Sequence, residues 1–160
     1  MFVPINQMPP DSRIWIYQAD RKFSENEVFE ISIKGKAFLE NWTSHNEHLK
    51  ASIDIRYGIF LILMIDEKHA SAGGCSIDKS VHFIKQLEKE YVVNLLDRNI
   101  FAFIENGNVR LVSRAEFEKL LESGTINDNT VVFNNLVQSL ELLANAWEIP
   151  LHDSWHNQIT

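Results

Sequence analysis

The sequence predicts an α+β fold in which most of the β-structure is antiparallel. Segments in which apolar and polar residues alternate indicate strands, and segments with apolar residues three or four positions apart indicate helices. Asn106-Gly107, between two apolar runs, is a strong signal for a tight β-hairpin. We expect the 160 residues to form a single domain, 1–160, with an irregular N-terminal arm over 1–11 and an irregular C-terminal tail over 150–160.

The first half of the chain predicts a ferredoxin-like order of elements, β-α-β-β-α-β. Ser24 and Glu27 have the spacing of a capping box, which begins a long helix. Gly35 lies on the apolar face of this helix, where glycine lowers helix stability by about 1 kcal/mol relative to alanine. We therefore expect that a side chain has no room there because the helix packs closely against a sheet. Residues 59–65 are continuously apolar, which is typical of a central strand covered on both faces. In order, we expect a strand at 13–18, a helix at 24–42, strands at 49–57 and 59–65, a helix capped by Ser76 or Asp78, and a strand at 92–96.

The second half predicts a hairpin, two helices and a short strand that extend the same sheet. Ser113 with Glu116 repeats the capping-box pattern, and Gly124 marks the end of that helix. Hairpin strands are expected at 100–104 and 109–112, a helix at 113–123, a strand at 130–133, and a last helix that begins at Asn134 or Asn135 and ends before Pro150. The alternative fold is an RNase H-like sheet, because a run of antiparallel strands is followed by a helix and another strand.

Composition excludes several classes of function. The chain has 15 Lys and Arg against 22 Asp and Glu, a net charge of -7, which disfavours sequence-independent nucleic-acid binding and anionic membranes. Cys75 is the one cysteine, so no internal disulfide can form. The N-terminus lacks the basic start and apolar stretch of a secretory signal, and the longest apolar run is far short of the roughly 20 residues that span a bilayer. We therefore expect a soluble, cytoplasmic protein.

Residues 73–80 differ by one residue from a phosphate-binding P-loop, which reads Gly, four residues, Gly, Lys, Ser or Thr. Asp78 stands where the second glycine belongs, ahead of Lys79 and Ser80. A carboxylate about 4 Å from a phosphate costs roughly 4 kcal/mol at an effective dielectric constant near 20. We therefore expect a degenerate P-loop and no ATP hydrolysis.

Three stretches carry a resemblance to a known family. GGCSIDKSVHFI (residues 73–84), WIYQADRKFSENEV (residues 15–28) and SWH (residues 154–156) resemble a small uncharacterised bacterial family typical of Bacteroidetes. Members of comparable length are often labelled "ABC transporter ATPase". The resemblance extends over most of the chain and implies no particular chemistry for these residues. An ABC ATPase domain is longer than this chain, and it needs an intact P-loop and an LSGGQ-type signature, which this sequence lacks.

Cys75 directly precedes the predicted second helix, and a helix N-terminus favours the thiolate form of cysteine. One hypothesis is therefore an enzyme site or a small-anion-binding site at residues 73–80, with Cys75 as nucleophile or redox thiol. In such an enzyme Cys75 and His156 are the catalytic candidates. The ligand-binding candidates are Gly73, Gly74, Ser76, Asp78 and Lys79.

Carboxylates near strand and helix ends suggest a further, less favoured alternative. Two or three of them, if they converged, would hold magnesium for phosphodiester cleavage by a metal-dependent nuclease. The acidic net charge makes nucleic acid an unfavourable substrate. The histidine pattern contains no HExxH motif, so we expect no metal site and no cofactor. The carboxylates in question are Asp54, Asp66, Glu67, Asp78 and Asp97.

The favoured hypothesis is a non-catalytic binding or regulatory module. Such a module would form a homodimer through an open sheet edge, which exposes unpaired backbone groups, or through the tail that carries Trp155 and His156. An exposed apolar patch would favour this hypothesis, whereas a pocket in which Cys75 meets histidine or acidic side chains would favour an enzyme.

Overall fold

The computed structural model describes residues 1–159 and has the predicted α+β fold, in which the paired strands of every sheet are antiparallel. The chain divides into two compact units. Unit 1 comprises residues Met1–Leu96 with Gln138–Glu141, and unit 2 comprises residues 97–137 with those from Leu142 onward. That all 160 residues act as a single domain stays a prediction.

Unit 1 contains a three-stranded sheet and two long helices. The central strand of the sheet is β5, whose residues 60–65 are buried on both faces, as their continuous apolar run predicts. The sheet order is β1-β5-β4, and a two-stranded hairpin of β2 and β3 follows the first helix. The elements are β1 (Arg13–Gln18), α1 (Glu25–Glu40), β2 (Thr43–Ser44), β3 (Glu47–His48), β4 (Lys50–Arg56), β5 (Phe60–Asp66) and α2 (Gly74–Tyr91).

The sixth element of the ferredoxin-like order, a strand at 92–96, is absent, so this part of the prediction is wrong. Val92 ends α2 with a φ of 50°, and Val93 N–H donates to the carbonyl of Glu88 at 3.1 Å. Side chains take the donors after it: Asn94 N–H donates to Asp20 Oδ1 at 3.0 Å and Leu95 N–H to Glu88 Oε2 at 2.8 Å. The outer edge of β1, where a fourth strand would pair, is occupied by residues 138–140. There Ile14 N–H donates to the carbonyl of Gln138 at 3.1 Å. Within residues 1–159 no strand after α2 joins this sheet, so the RNase H-like order is not found either.

The first helix begins and packs as its sequence predicts. The Ser24 side chain accepts from Glu27 N–H, and the Glu27 side chain accepts from Ser24 N–H, which completes the capping box. Gly35 faces β4 so closely that a Cβ built on it would overlap with Ile53 Cδ1. The predicted contact of helix and sheet is therefore confirmed. The core around it is made by residues such as Ile31, Leu39, Trp42, Leu61, Leu63, Ile84 and Leu87.

Unit 2 contains a four-stranded sheet of order β7-β6-β8-β9. Asn106 and Gly107 both have positive φ, 52° and 80°, and form the predicted two-residue hairpin turn between β6 and β7. The Ser113 side chain caps α3 by accepting from Glu116 N–H. The elements that follow α2 in the chain are β6 (Ile100–Glu105), β7 (Asn108–Ser113), α3 (Arg114–Glu122), β8 (Val131–Phe133), α4 (Leu140–Ala146) and β9 (Glu148–Pro150); the first two residues of α4 are assigned to unit 1.

Two predictions for the second half are wrong. The last helix begins at Leu140, not at Asn134 or Asn135. Asn134 caps only a turn, in which its Oδ1 accepts from Leu136 N–H and its carbonyl accepts from Val137 N–H. The tail is not irregular: it forms two 3-10 turns, Leu151–Asp153 and Trp155–Gln158. Trp155 packs edge-on against Phe101 of the same unit, with ring centroids 5.6 Å apart. The tail therefore docks on its own chain.

The N-terminal arm is tied to unit 1. Val3 N–H donates to the carbonyl of Ala51 at 2.8 Å, Ala51 N–H donates to the carbonyl of Met1 at 3.0 Å, and residues Ile5–Gln7 form a 3-10 turn. The arm thus covers the outer edge of β4 at one residue. None of the helices within residues 1–159 combines the length and the apolar character needed to cross a membrane.

Candidate functional site

The residues predicted to form a P-loop-like loop are the start of a helix. α2 begins at Gly74 with Gly73 as its N-cap, so Ser76 and Asp78 lie inside the helix and do not cap it. The Ser76 hydroxyl donates to the carbonyl of Gly73 at 2.8 Å, and the Ser80 hydroxyl donates to that of Ile77 at 2.6 Å. Because both hydroxyls turn back onto the backbone of the same segment, the predicted cap by Ser76 or Asp78 is wrong. Asp78 is exposed in the second turn of the helix and does not stand among the N–H groups that would cradle a phosphate.

The N-terminus of α2 retains its hydrogen-bonding capacity. The first N–H groups of a helix have no partner within the helix, and Gly73 has no side chain to accept from them. Within residues 1–159, no acceptor bonds to the N–H of Gly74, Cys75 or Ser76. The first turn also contains no acidic residue. The positive end of the dipole of an 18-residue helix is therefore uncompensated.

The β2–β3 hairpin places two side chains beside this helix end. A Cβ built on Gly73 would lie 3.6 Å from Ser44 Oγ and 3.6 Å from His45 Nε2. The hairpin is held there because Trp42, just before it, donates its indole N–H to the carbonyl of Ser76 at 2.8 Å. Ser44 is 7% exposed, and His45 is exposed with a φ of 50°. Neither residue belongs to a recognisable motif, so the sequence contains no signal for this approach.

Farther along α2, the predicted ligand residues Asp78 and Lys79 are exposed and line an open groove of about 500 Å³. Its floor includes Phe38 of α1 and Phe83 of α2, whose rings stack with centroids 4.6 Å apart. His82 and Gln86 complete the lining. Cys75 is an exposed free thiol at the beginning of the same helix. The structure thus places every ligand candidate of residues 73–80 on α2 or at its N-cap.

His156, the other catalytic candidate, belongs to unit 2 and is 2% exposed. Its Nδ1 lies 2.6 Å from Ser154 Oγ, and its ring stacks on that of Trp155 with centroids 3.9 Å apart. Burial lowers the pKa of this imidazole to about 4, so it is neutral at pH 7. Cys75 belongs to unit 1. That Cys75 and His156 act together stays a prediction.

The carboxylates considered for a nuclease have separate local partners. Asp54 Oδ2 accepts from Arg56 Nε at 2.9 Å, Asp66 accepts from the N–H of Lys68, and Asp97 accepts from that of Asn99. Glu67 accepts from the N–H of Ala72, and Asp78 lies on α2. Over the described stretch, 1–159, no three His, Cys, Asp or Glu side chains are grouped as metal ligands.

Comparison of the chain with known protein families, with curated proteins and with solved structures gave no match. The resemblance to the Bacteroidetes-type family stays a prediction.

Proposed function

We propose that this protein is a non-catalytic binding module that associates with a second copy of itself through the outer edge of β4. The observation that carries the proposal is an open sheet edge beside exposed apolar side chains of α1. An unpaired edge strand is a template for pairing with another strand.

The direction of the backbone groups of β4 follows from the N-terminal arm. The N–H and C=O of Ala51 point away from β5, since both bond to the arm. Residues two apart in a strand point their backbone groups to the same side, so those of Ile53 and Ile55 also point outward. In the part of the chain that the structure describes, no backbone partner meets them there. The arm thus leaves half of this edge available.

Phe29 and Ile33 of α1 are 68% and 54% exposed. They lie eleven and seven residues before Glu40, on the same face of the helix, and Glu40 contacts the arm at this edge. Gly35 packs over Ile53, and Glu40 accepts from Phe2 N–H beside Ala51, so α1 runs antiparallel to β4. From Ile53 to Ile55 the strand advances about 6.6 Å. The same distance along α1 is about four residues, counted from Gly35 toward the N-terminus of the helix because the two elements are antiparallel. The level of Ile55 is therefore that of Ile31, midway between the two exposed side chains.

These positions are complementary to a second copy. An antiparallel pairing of two β4 strands centred on Ile55 sets Asp54 opposite the partner's Arg56, and Arg56 opposite the partner's Asp54. Opposite charges that face each other across two strands stabilise the pairing. The same two-fold axis brings Phe29 against the partner's Ile33. A single two-fold axis therefore pairs the backbone groups, the opposite charges and the apolar side chains of the two copies, as an isologous interface requires.

Sedimentation of the full chain over a range of concentrations tests this proposal. We expect a reversible dimer whose dissociation constant rises by about tenfold in Phe29→Gln, which corresponds to about 1.4 kcal/mol. Leu136→Gln is the matched control, because Leu136 is 62% exposed but belongs to unit 2; it should leave the constant unchanged. A chain that stays monomeric, or equal weakening by both variants, would overturn the proposal.

Charge exchange tests the register. Asp54→Arg alone should weaken the dimer because arginine would then face the partner's arginine. The double variant Asp54→Arg with Arg56→Asp restores opposite charges in this register and should recover most of the lost affinity. If the double variant associates no better than Asp54→Arg, the register centred on Ile55 is wrong.

A further inference from the structure

We propose that the N-terminus of α2, together with Ser44 and His45, binds a small tetrahedral oxyanion, either inorganic phosphate or the phosphate of a phosphomonoester. This site is separate from the β4 edge and does not depend on the dimer. The proposed site binds an anion only, and Cys75 carries out no reaction there.

The backbone supplies the first part of the site. Three consecutive N–H groups, of Gly74, Cys75 and Ser76, have no acceptor within residues 1–159. Such N–H groups at the positive end of a helix dipole bind phosphate and similar anions. By contrast, Ser24 and Ser113 occupy the equivalent donors of α1 and α3 with their own hydroxyls.

Ser44 supplies the second and independent observation. Its residue is 7% exposed, so it is more than nine-tenths buried, and within residues 1–159 its hydroxyl has no hydrogen-bond partner. The hydroxyl lies beside the N-cap, 3.6 Å from where a Cβ of Gly73 would be. A hydroxyl that has no partner within the protein and lies beside the helix end can donate its hydrogen bond to an anion held there.

The remaining groups favour an anion of modest size. His45 Nε2 lies at the same distance from that Cβ position, and an imidazole can donate from this nitrogen. A Cβ on Gly74 would have no atom within 4 Å, so the approach to the N–H groups is open. Lys79 is exposed one turn farther along α2 and adds positive charge, whereas the exposed Asp78 opposes an anion.

Titration of 15N-labelled protein with inorganic phosphate, at constant ionic strength maintained with chloride, tests the site. We expect saturable shifts of the amide resonances of Gly74, Cys75 and Ser76. Phenyl phosphate forms a second arm, because the groove along α2 is lined from Asp78 onward, one turn after Gly74, and contains the rings of Phe38 and Phe83. Tighter binding of the ester assigns the site to phosphomonoesters, and tighter binding of inorganic phosphate assigns it to the free ion. Shifts that stay linear with both ligands would overturn the inference.

Gly73→Asp separates ligand binding from stability. The residue has a φ of -91° and a ψ of 177°, which suit any N-cap residue. An aspartate there caps α2 with its own carboxylate, so we expect a higher melting temperature and a loss of phosphate affinity of at least about tenfold. Ser44→Ala should weaken binding while leaving the helix uncapped, and Asp78→Asn should strengthen it. Unchanged phosphate affinity in Gly73→Asp would overturn the inference.

Discussion

The two units bury polar groups of different kinds. In unit 1 the buried Ser76 and Ser80 hydroxyls bond to the carbonyls of Gly73 and Ile77, and the phenol of Tyr17 is buried. Unit 2 instead buries an imidazole, that of His156, against Ser154 among aromatic rings. Burial raises the pKa of Tyr17, so this phenol stays neutral in acid, whereas His156 gains a proton in acid. At pH 7 both sets of groups are neutral, and only that of unit 2 changes charge as the pH falls.

The largest expected effect follows from that difference. The pKa of His156 is about 4 in the folded protein against 6.5 when exposed, so the unfolded chain binds the extra proton first as the pH falls. Stability is therefore fully present above pH 6.5, decreases between pH 6.5 and pH 4, and is lower by about 3 kcal/mol below that window. Urea unfolding at pH 7 and at pH 4 measures this loss.

His156→Phe should remove most of that pH dependence, because a phenyl ring takes up no proton. His152→Phe is the matched control in the same tail, since His152 is exposed, and it should keep the pH dependence of the wild type. The pKa of Glu27 is lowered to about 2, chiefly by its hydrogen bond from Arg21, so this group adds a loss of its own below pH 4.5 that all three proteins share. Equal pH dependence in His156→Phe and the wild type would show that the buried imidazole is not what distinguishes unit 2.

A smaller effect concerns the close contact of helix and sheet in unit 1. No such contact surrounds Gly107 or Gly124 of unit 2, where an added Cβ would meet no atom within 4 Å. Gly35→Ala gains about 1 kcal/mol of helix propensity but displaces Ile53 Cδ1, and overpacking costs about 1–3 kcal/mol. We therefore expect little gain, or a loss, in the wild-type background.

Ile53→Val removes the methyl group that Gly35→Ala would displace. In the Ile53→Val protein, Gly35→Ala should therefore increase the free energy of unfolding by about 1 kcal/mol. Thermal unfolding of the four proteins of this double-mutant cycle gives the coupling energy. Ala37→Gly, at an exposed position of the same helix, checks the propensity and should cost about 1 kcal/mol. A coupling energy near zero would contradict the close approach of α1 and β4.

The smallest expected effect on stability comes from removing buried serine hydroxyls. Ser52 is 1% exposed and its Oγ has no partner within residues 1–159, whereas the Ser80 hydroxyl is bonded. Ser52→Ala removes an unsatisfied group and should stabilise the fold by up to about 1 kcal/mol, while Ser80→Ala should destabilise it by a similar amount. The denaturation midpoints of the two variants should therefore shift in opposite directions. A loss of stability in Ser52→Ala would indicate that this hydroxyl has a partner in solution.

Prediction from the sequence was accurate where a structure depends on residues close together in the chain. Ser24 meets Glu27 across one helical turn, and Asn106-Gly107 turns the chain within two residues. Prediction was less accurate where several local partners compete. Ser76 has the side chain of an N-cap, yet its hydroxyl bonds to the carbonyl of Gly73, and the helix begins before it. The placement of these residues in a loop was therefore wrong, and that they bind a ligand stays a prediction.

By itself, the sequence determined the α+β class, the capped beginnings of α1 and α3, the hairpin turn and the buried central strand β5, because short-range hydrogen bonds and the apolar pattern are sufficient for these. Only the tertiary structure decided that residues 92–96 form no strand, since residues 138–140 occupy the edge of β1. It also decided that Ser44 and His45 lie at the beginning of α2. Such approaches join residues distant in sequence, and no local propensity encodes which sheet edge or helix end a distant segment reaches.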